Sequence, residues 1–181
     1  IGSLFVSLGR NISNRIRGRK TDEATALNGK LILVILLANL ITGVLGFGFD
    51  RLEGVFNTYP RITGSLFILT GIFLIFTGFM KGTTGYDRIS AREGIITGIA
   101  QGFGVLPGIS RSGITIAASL LSGMGRKEAG EYSFLIAIPA IIGAALLKVR
   151  DIGTVAIDLL VLAAGLAVCF VPSLLSLMLL I

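Results

Sequence analysis

The residues of this sequence that could do chemistry crowd into one run, Pro107-Gly108-Ile109-Ser110-Arg111-Ser112-Gly113-Ile114-Thr115. It joins a guanidinium, three hydroxyls and two glycines. That set suits an anion, because the planar fork of an arginine matches phosphate oxygens two at a time and its charge does not titrate away. A Pro-Gly break followed by a helix starting near Gly113 would add unpaired backbone N–H groups and the positive end of a helix dipole. Ser112 would then cap that helix or bond the ligand. Gly108 and Gly113 would let the backbone approach a phosphate with no Cβ in the way. The spacing is not that of a Walker loop, which also needs a lysine.

A plainer reading has Arg111 reaching for the membrane interface or pairing with a distant carboxylate, while the serines merely satisfy broken helix ends. Position favours the functional one. Arg111 is the single charge in the 32 residues from Gly94 to Gly125, and an ionisable group inside a membrane segment is costly enough to mark a site. The nearest carboxylates in sequence are Glu93 and Glu128. An added anion would neutralise the arginine.

The elements that must position this run are membrane helices. The chain has 181 residues, 53% hydrophobic and 14% charged, with mean hydropathy +0.89, against about 25% charged residues in a soluble domain. Its 25 glycines lie largely within apolar runs, as membrane helices tolerate. With no His and only Cys169, an internal disulfide, a Cys/His zinc site and a Ser-His-Asp triad within this chain are excluded. The net charge of +6 flanks apolar segments rather than interleaving with aromatics, so nucleic acid is not an expected partner.

Apolar spans are expected at about 31–49, 63–80, 132–147 and 155–181, the third kinked by Pro139 and the last interrupted by Pro172. Residues 94–124 are too long for one plain crossing and are broken by Pro107-Gly108. The economical arrangement is a re-entrant pair of half-helices, with a single long kinked crossing as the competitor. Thr-Gly pairs at Thr63-Gly64, Thr70-Gly71 and Thr77-Gly78 recur at nearly two helical turns and predict one small face on the second span, open to a close helix neighbour. Glu128 and Glu131 read as a solvated helix start, and Cys169 as an apolar packing residue. The chain starts without Met inside one apolar stretch and ends inside another, so it reads as a fragment of a longer polytopic protein, a single transmembrane domain over residues 1–181 that also lacks its C-terminal end.

The run Glu93 to Thr115, followed by Glu131-Tyr132-Ser133-Phe134-Leu135-Ile136-Ala137-Ile138-Pro139, closely resembles the undecaprenyl-pyrophosphate phosphatase family, also called the bacitracin-resistance protein family. The resemblance covers essentially the whole chain, as the later two-thirds of a member. It implies an integral membrane hydrolase that removes the terminal phosphate of a C55 polyprenyl pyrophosphate and so recycles the carrier lipid for cell-wall precursors. It also implies an inverted repeat of which only the second re-entrant pair is present. Arg111, Ser110 and Ser112 would be catalytic, and Gly108, Gly113, Thr115 and Gln101 substrate-binding, with Gln101 in the place that mirrors an acidic residue of the first repeat. A divalent cation, Mg or Ca, is implied, its ligands lying in an upstream Glu-x-x-x-Glu and His motif that this chain does not contain. No metal ligand is therefore expected here, and the 181 residues alone are expected to be inactive.

The expected partners are the polyprenyl pyrophosphate lipid and the bilayer of the plasma membrane, with a homodimer left open. A transporter or flippase of an anionic lipid is the alternative, because broken helices binding an anion at mid-membrane also suit transport. A non-catalytic membrane subunit is the third reading. Segments 10–30 and 81–93 carry the Lys/Arg excess and are expected on the cytoplasmic side, with 50–62 opposite. Single cysteines at Thr21 and Thr58 test this in intact cells: only the second should label from outside. Equal labelling of both would reverse the assignment.

Overall fold

The computed structural model describes residues 23–50, 56, 58–149 and 159–180. Among them the regular elements are helices, with no strand: α1 (Glu23–Asp50), α2 (Pro60–Thr77), a 3-10 turn (Tyr86–Arg88), α3 (Ala91–Phe103), α4 (Arg111–Leu121), α5 (Arg126–Val149) and α6 (Leu159–Leu180). Three stretches are long and apolar enough to cross a membrane, Ala26–Phe49, Pro60–Thr77 and Arg126–Leu147, and Leu160–Ser176 is a shorter apolar helix. Most of segment 10–30, part of 50–62 and the ends of the expected span 155–181 lie outside the described residues. Contacts divide the chain into two units, residues 1–141 and 142–181. Everything that positions the phosphate run lies in the first.

The tightest packing is between α1 and α3, which run side by side in the same direction. Gly94, Gly98 and Gly102 recur every four residues and put one bare stripe of α3 against α1. A Cβ at Gly98 would stand 2.7 Å from the Ala38 carbonyl oxygen, one at Gly94 3.0 Å from that of Val34, and one at Gly102 2.6 Å from Leu45 Cδ1. Backbones this close are how helices associate in lipid, where no hydrophobic effect drives them together. Across the contact the Thr42 hydroxyl lies 3.1 Å from the Gly98 carbonyl, and the Phe49 and Phe103 rings meet at 5.3 Å between centroids.

Among the described residues no helix packs on the glycines of the Thr-Gly pairs of α2 at 64 and 71. Nothing lies within 4 Å of a Cβ built at Gly64 or Gly71. The threonines carry the contact instead: Thr70 donates to the Gly108 carbonyl at 3.3 Å, and the Thr63 carbonyl lies where a Cβ at Gly108 would go. The helix also begins at Pro60, where a first-turn proline loses no hydrogen bond. Its C-terminal carbonyls are covered by Arg126, whose Nη2 donates to Thr77, Gly78 and Met80 at 3.0, 2.7 and 3.3 Å. A cation there satisfies orphan carbonyls and faces the negative end of the helix dipole.

Helices α3 and α4 form a hairpin about 20 and 16 Å long at 1.5 Å per residue. Both its ends lie at the end of the bundle where α2 finishes. The segment after α2 is bonded to the turn after α4, with the Thr83 and Thr84 amides donating to the Gly123 carbonyl and the Gly125 amide to Thr84. Gly82 has no room for a Cβ against the Met124 backbone, and Gly123 takes φ +98°. The two arms therefore run antiparallel, with their outer ends tied together. Helix α5 starts at Arg126, ahead of the apolar run expected from Tyr132, and it continues through Pro139; α6 likewise continues through Pro172 rather than being interrupted. Neighbouring groups and local adjustment allow proline inside apolar helices.

Gly98→Ala should lower the melting temperature of the detergent-solubilised protein, since overpacking costs about 1–3 kcal/mol. Gly71→Ala, facing open space, should gain about 0.5–1 kcal/mol from helix propensity. Melting shifts of the same sign for both would show that α1 and α3 do not meet through this stripe.

Candidate functional site

The hairpin tip, residues 104–110, brings Gly108, Ser110, Arg111, Ser112 and Gly113 together. Gly104 and Arg111 touch: a Cβ at Gly104 would lie 3.0 Å from Arg111 Cα and 3.1 Å from its Cγ. Gly108 takes φ +94°, a left-handed conformation that disfavours a side chain, and it packs on α2 at Thr63 and Leu66. Gly113 packs on α2 at Leu74, which leaves Arg111 level with the middle of that helix.

Helix α4 starts two residues earlier than expected. Its cap is Ser110 rather than Ser112, with the Ser110 hydroxyl accepting from the Gly113 amide at 3.3 Å. This is the ordinary N-cap bond to the third helical amide. Arg111 is therefore the first residue of the helix and Ser112 the second, exposed and not needed as a cap. Among the described residues the Arg111 and Ser112 amides have no backbone acceptor, as at any helix start.

Arg111 is half-buried. Its Nε is enclosed and has no hydrogen-bond partner. Among the described residues the ion pair present is Arg88 with Asp87, both exposed, so no described carboxylate neutralises Arg111. Two acidic groups of this unit, Glu93 and Glu131, sit at the other end of the hairpin. Glu93 closes a capping box with Ser90, and Glu131 accepts from the Tyr86 hydroxyl at 3.2 Å. Burial, and then the Glu131 carboxylate, push the Tyr86 phenol well above its ordinary pKa and keep it a neutral donor. No three His, Cys, Asp or Glu among the described residues come together, so these residues do not build a cage for a divalent cation.

Thr115 and Gln101 stand apart from the tip. Thr115 is 1% exposed, and its hydroxyl lies 3.0 Å from the Arg111 and Ser112 carbonyls and 2.5 Å from Ser133 Oγ on α5. Gln101 is fully buried and turned toward α1, its Nε2 donating to Asn39 Oδ1 at 3.4 Å and to Thr42 Oγ1 at 3.2 Å, while its Oε1 has no partner. Asn39 also lines an open groove along α1 with Leu40, Gly43, Val44 and Phe47; Arg111 is not part of it. The sequence reading missed Asn39, Thr42 and Ser133. Asn39 and Thr42 were visible as the polar residues of an otherwise apolar span, where such side chains bond across helices. Ser133 lies in the Glu131–Pro139 run that carries the family resemblance, with no role attached to it there.

Glu93 provides a pH test of the hairpin base. Burial alone would raise its pKa, but hydrogen bonds from the Ser90 hydroxyl and backbone amides, helped by Arg92, outweigh this and lower it. A lowered carboxyl stabilises the fold above the unfolded value, about 4.3 for Glu, and that contribution is lost as pH falls through the folded value. Amide protection in the first turn of α3 should drop across that acid range and lose its pH step in Glu93→Gln. An unchanged step in the variant would put its origin elsewhere.

The family model described as bacitracin resistance protein BacA matches residues 2–181. A protein of Treponema denticola named undecaprenyl-diphosphatase is 38% identical over 151 residues, 83% of this chain and 54% of that protein. One of the same name from Desulfosudis oleivorans is 38% identical over 156 residues, 84% and 56% of the two chains. A third, from Methanosphaera stadtmanae, is 39% identical over 141 residues, 73% and 48%. The chain thus spans about half the length of the curated relatives it matches. With a match over all but its first residue, the chain belongs to the bacitracin-resistance protein BacA family.

Proposed function

We propose that this chain forms the pyrophosphate-holding part of a membrane phosphatase that removes the terminal phosphate of undecaprenyl pyrophosphate. One observation carries the reading: the Arg111 guanidinium stands at the first turn of α4 with an enclosed, partnerless Nε and no carboxylate among the described residues to neutralise it. A phosphate there would accept from the Nη groups of the guanidinium, and the Arg111 and Ser112 amides would point at the same charge. Ser112, exposed beside them, would add a hydroxyl. Ser110 would hold the helix start, and Gly108 and Gly113 would keep the tip close to α2. Thr115 and Gln101, both buried, would act behind the site rather than on the ligand.

Hydrolysis of the anhydride moves negative charge onto the departing lipid phosphate, and fixed donors aimed there lower the barrier. The same reaction needs an activated nucleophile. Glu93 and Glu131 lie at the base of the hairpin, bonded to Ser90 and Tyr86. The isolated 181 residues would therefore bind pyrophosphate without hydrolysing it, and the part by which the relatives are longer would supply the nucleophile, its activation and any cation ligands. The lipid tail would lie in the bilayer of the plasma membrane, with segments 10–30 and 81–93 on the cytoplasmic side and α3 and α4 dipping in from it. The relatives are named as diphosphatases, and nothing in the hairpin favours transport.

In the complete protein Arg111→Lys should cut phosphate release from C55 polyprenyl pyrophosphate by roughly 10- to 150-fold. The ammonium keeps the charge but loses the fork, and one charge-assisted hydrogen bond contributes about 1.5–3 kcal/mol. Near-normal turnover in the lysine variant would make Arg111 structural. Turnover by the 181 residues alone would refute the division of labour.

A further inference from the structure

Thr115 has one proton to give and three oxygens around it. Two are the carbonyls of Arg111 and Ser112, each at 3.0 Å, and the third is Ser133 Oγ at 2.5 Å. A carbonyl can only accept, so when Thr115 donates to the first turn of its own helix, Ser133 must be the donor in the remaining bond. The bonds then form one directed chain from the Ser133 hydroxyl on α5, through Thr115 Oγ1, to the backbone carbonyls of Arg111 and Ser112, which share its proton. Thr115 is 1% and Ser133 3% exposed, so water does not compete.

The neighbouring residue makes the matching contact to the other arm. The Tyr132 hydroxyl, fully buried, meets Thr97 Oγ1 on α3 at 3.3 Å. Consecutive residues of α5 thus grip both arms, and the α5 start is itself fixed to the end of α2 by Arg126. Of the two grips, the one through Ser133 ends on the residue that carries the guanidinium.

We propose that Ser133 is a positioning residue that acts through Thr115 on the Arg111 backbone and sets the direction in which the guanidinium and the first amides of α4 point. This rests on the reading that Arg111 holds the pyrophosphate. Removing the Ser133 hydroxyl leaves Thr115 bonded within α4 but lets the start of the helix turn against α5, so donors are misaimed without charge being lost. The Thr115 hydroxyl is spent in this chain and is not a ligand.

The test is the affinity of the complete protein in detergent for inorganic pyrophosphate, by calorimetry, together with the melting temperature. Ser133→Ala and the volume-conserving Ser133→Cys should each weaken binding about fivefold to tenfold, the size of one ordinary hydrogen bond. Ser133→Thr, which keeps the hydroxyl, should restore it. In an Arg111→Lys background, Ser133→Ala should weaken binding no further, because the misaimed group is already gone. Wild-type affinity in Ser133→Ala and Ser133→Cys, or a further loss in the lysine background, would overturn the proposal and leave the function standing. Failure of both the alanine and cysteine variants to fold would also overturn it, since Ser133 would then hold the bundle rather than the arginine. Binding by Arg111→Lys that equals wild type would remove the function reading and this inference together.

Discussion

A helix broken inside an apolar surround must have its freed backbone groups satisfied by protein, because lipid offers no hydrogen bonds. Much of the first unit follows from that requirement. The break at 104–110 is tolerated because Thr70 covers the Gly108 carbonyl, Ser110 covers the Gly113 amide, and glycines at 104 and 108 let the returning chain lie against α3 and α2. What stays without a hydrogen bond among the described residues is equally specific: the first amides of α4 and the enclosed Arg111 Nε. Uncovered donors next to a fixed positive charge are what an anion completes.

The same requirement explains how the hairpin is held. Helices in lipid associate through close packing and polar contacts, and each contact around α3 and α4 uses one or both. The stripe of Gly94, Gly98 and Gly102 brings α3 onto α1, where Thr42, Asn39 and Gln101 share hydrogen bonds. Tyr132 and Ser133 reach one arm each, and Arg126 closes the end of α2. Gln101 Oε1, enclosed and unpartnered, is the exception, and an unmet acceptor there costs about 1–3 kcal/mol. The structure supplies no donor for it.

Several sequence expectations survive in substance but change their residues. The regular repeat of Thr63-Gly64, Thr70-Gly71 and Thr77-Gly78 predicts a small face on α2. Spacing alone could not show that Gly64 and Gly71 meet nothing while the glycines of α3 meet α1. Of the two roles open to Ser112, cap or ligand, the first is taken by Ser110, and the helix begins at Arg111. Pro172 was expected to interrupt a span, but the helix continues through it.

The sequence by itself determined what depends on composition and on neighbours along the chain. Apolar runs, their flanking charges and the break at Pro107-Gly108 define a helical membrane protein, and a lone arginine among glycines and hydroxyls defines an anion site. Tertiary structure alone decided which of those hydroxyls are free. Ser112 is exposed, Ser110 is a cap, and Thr115 faces Ser133 eighteen residues away. A hydroxyl becomes a ligand or a strut according to which helix face lies opposite, and that is set by how α2, α3, α4 and α5 pack, not by the order of residues within any one of them.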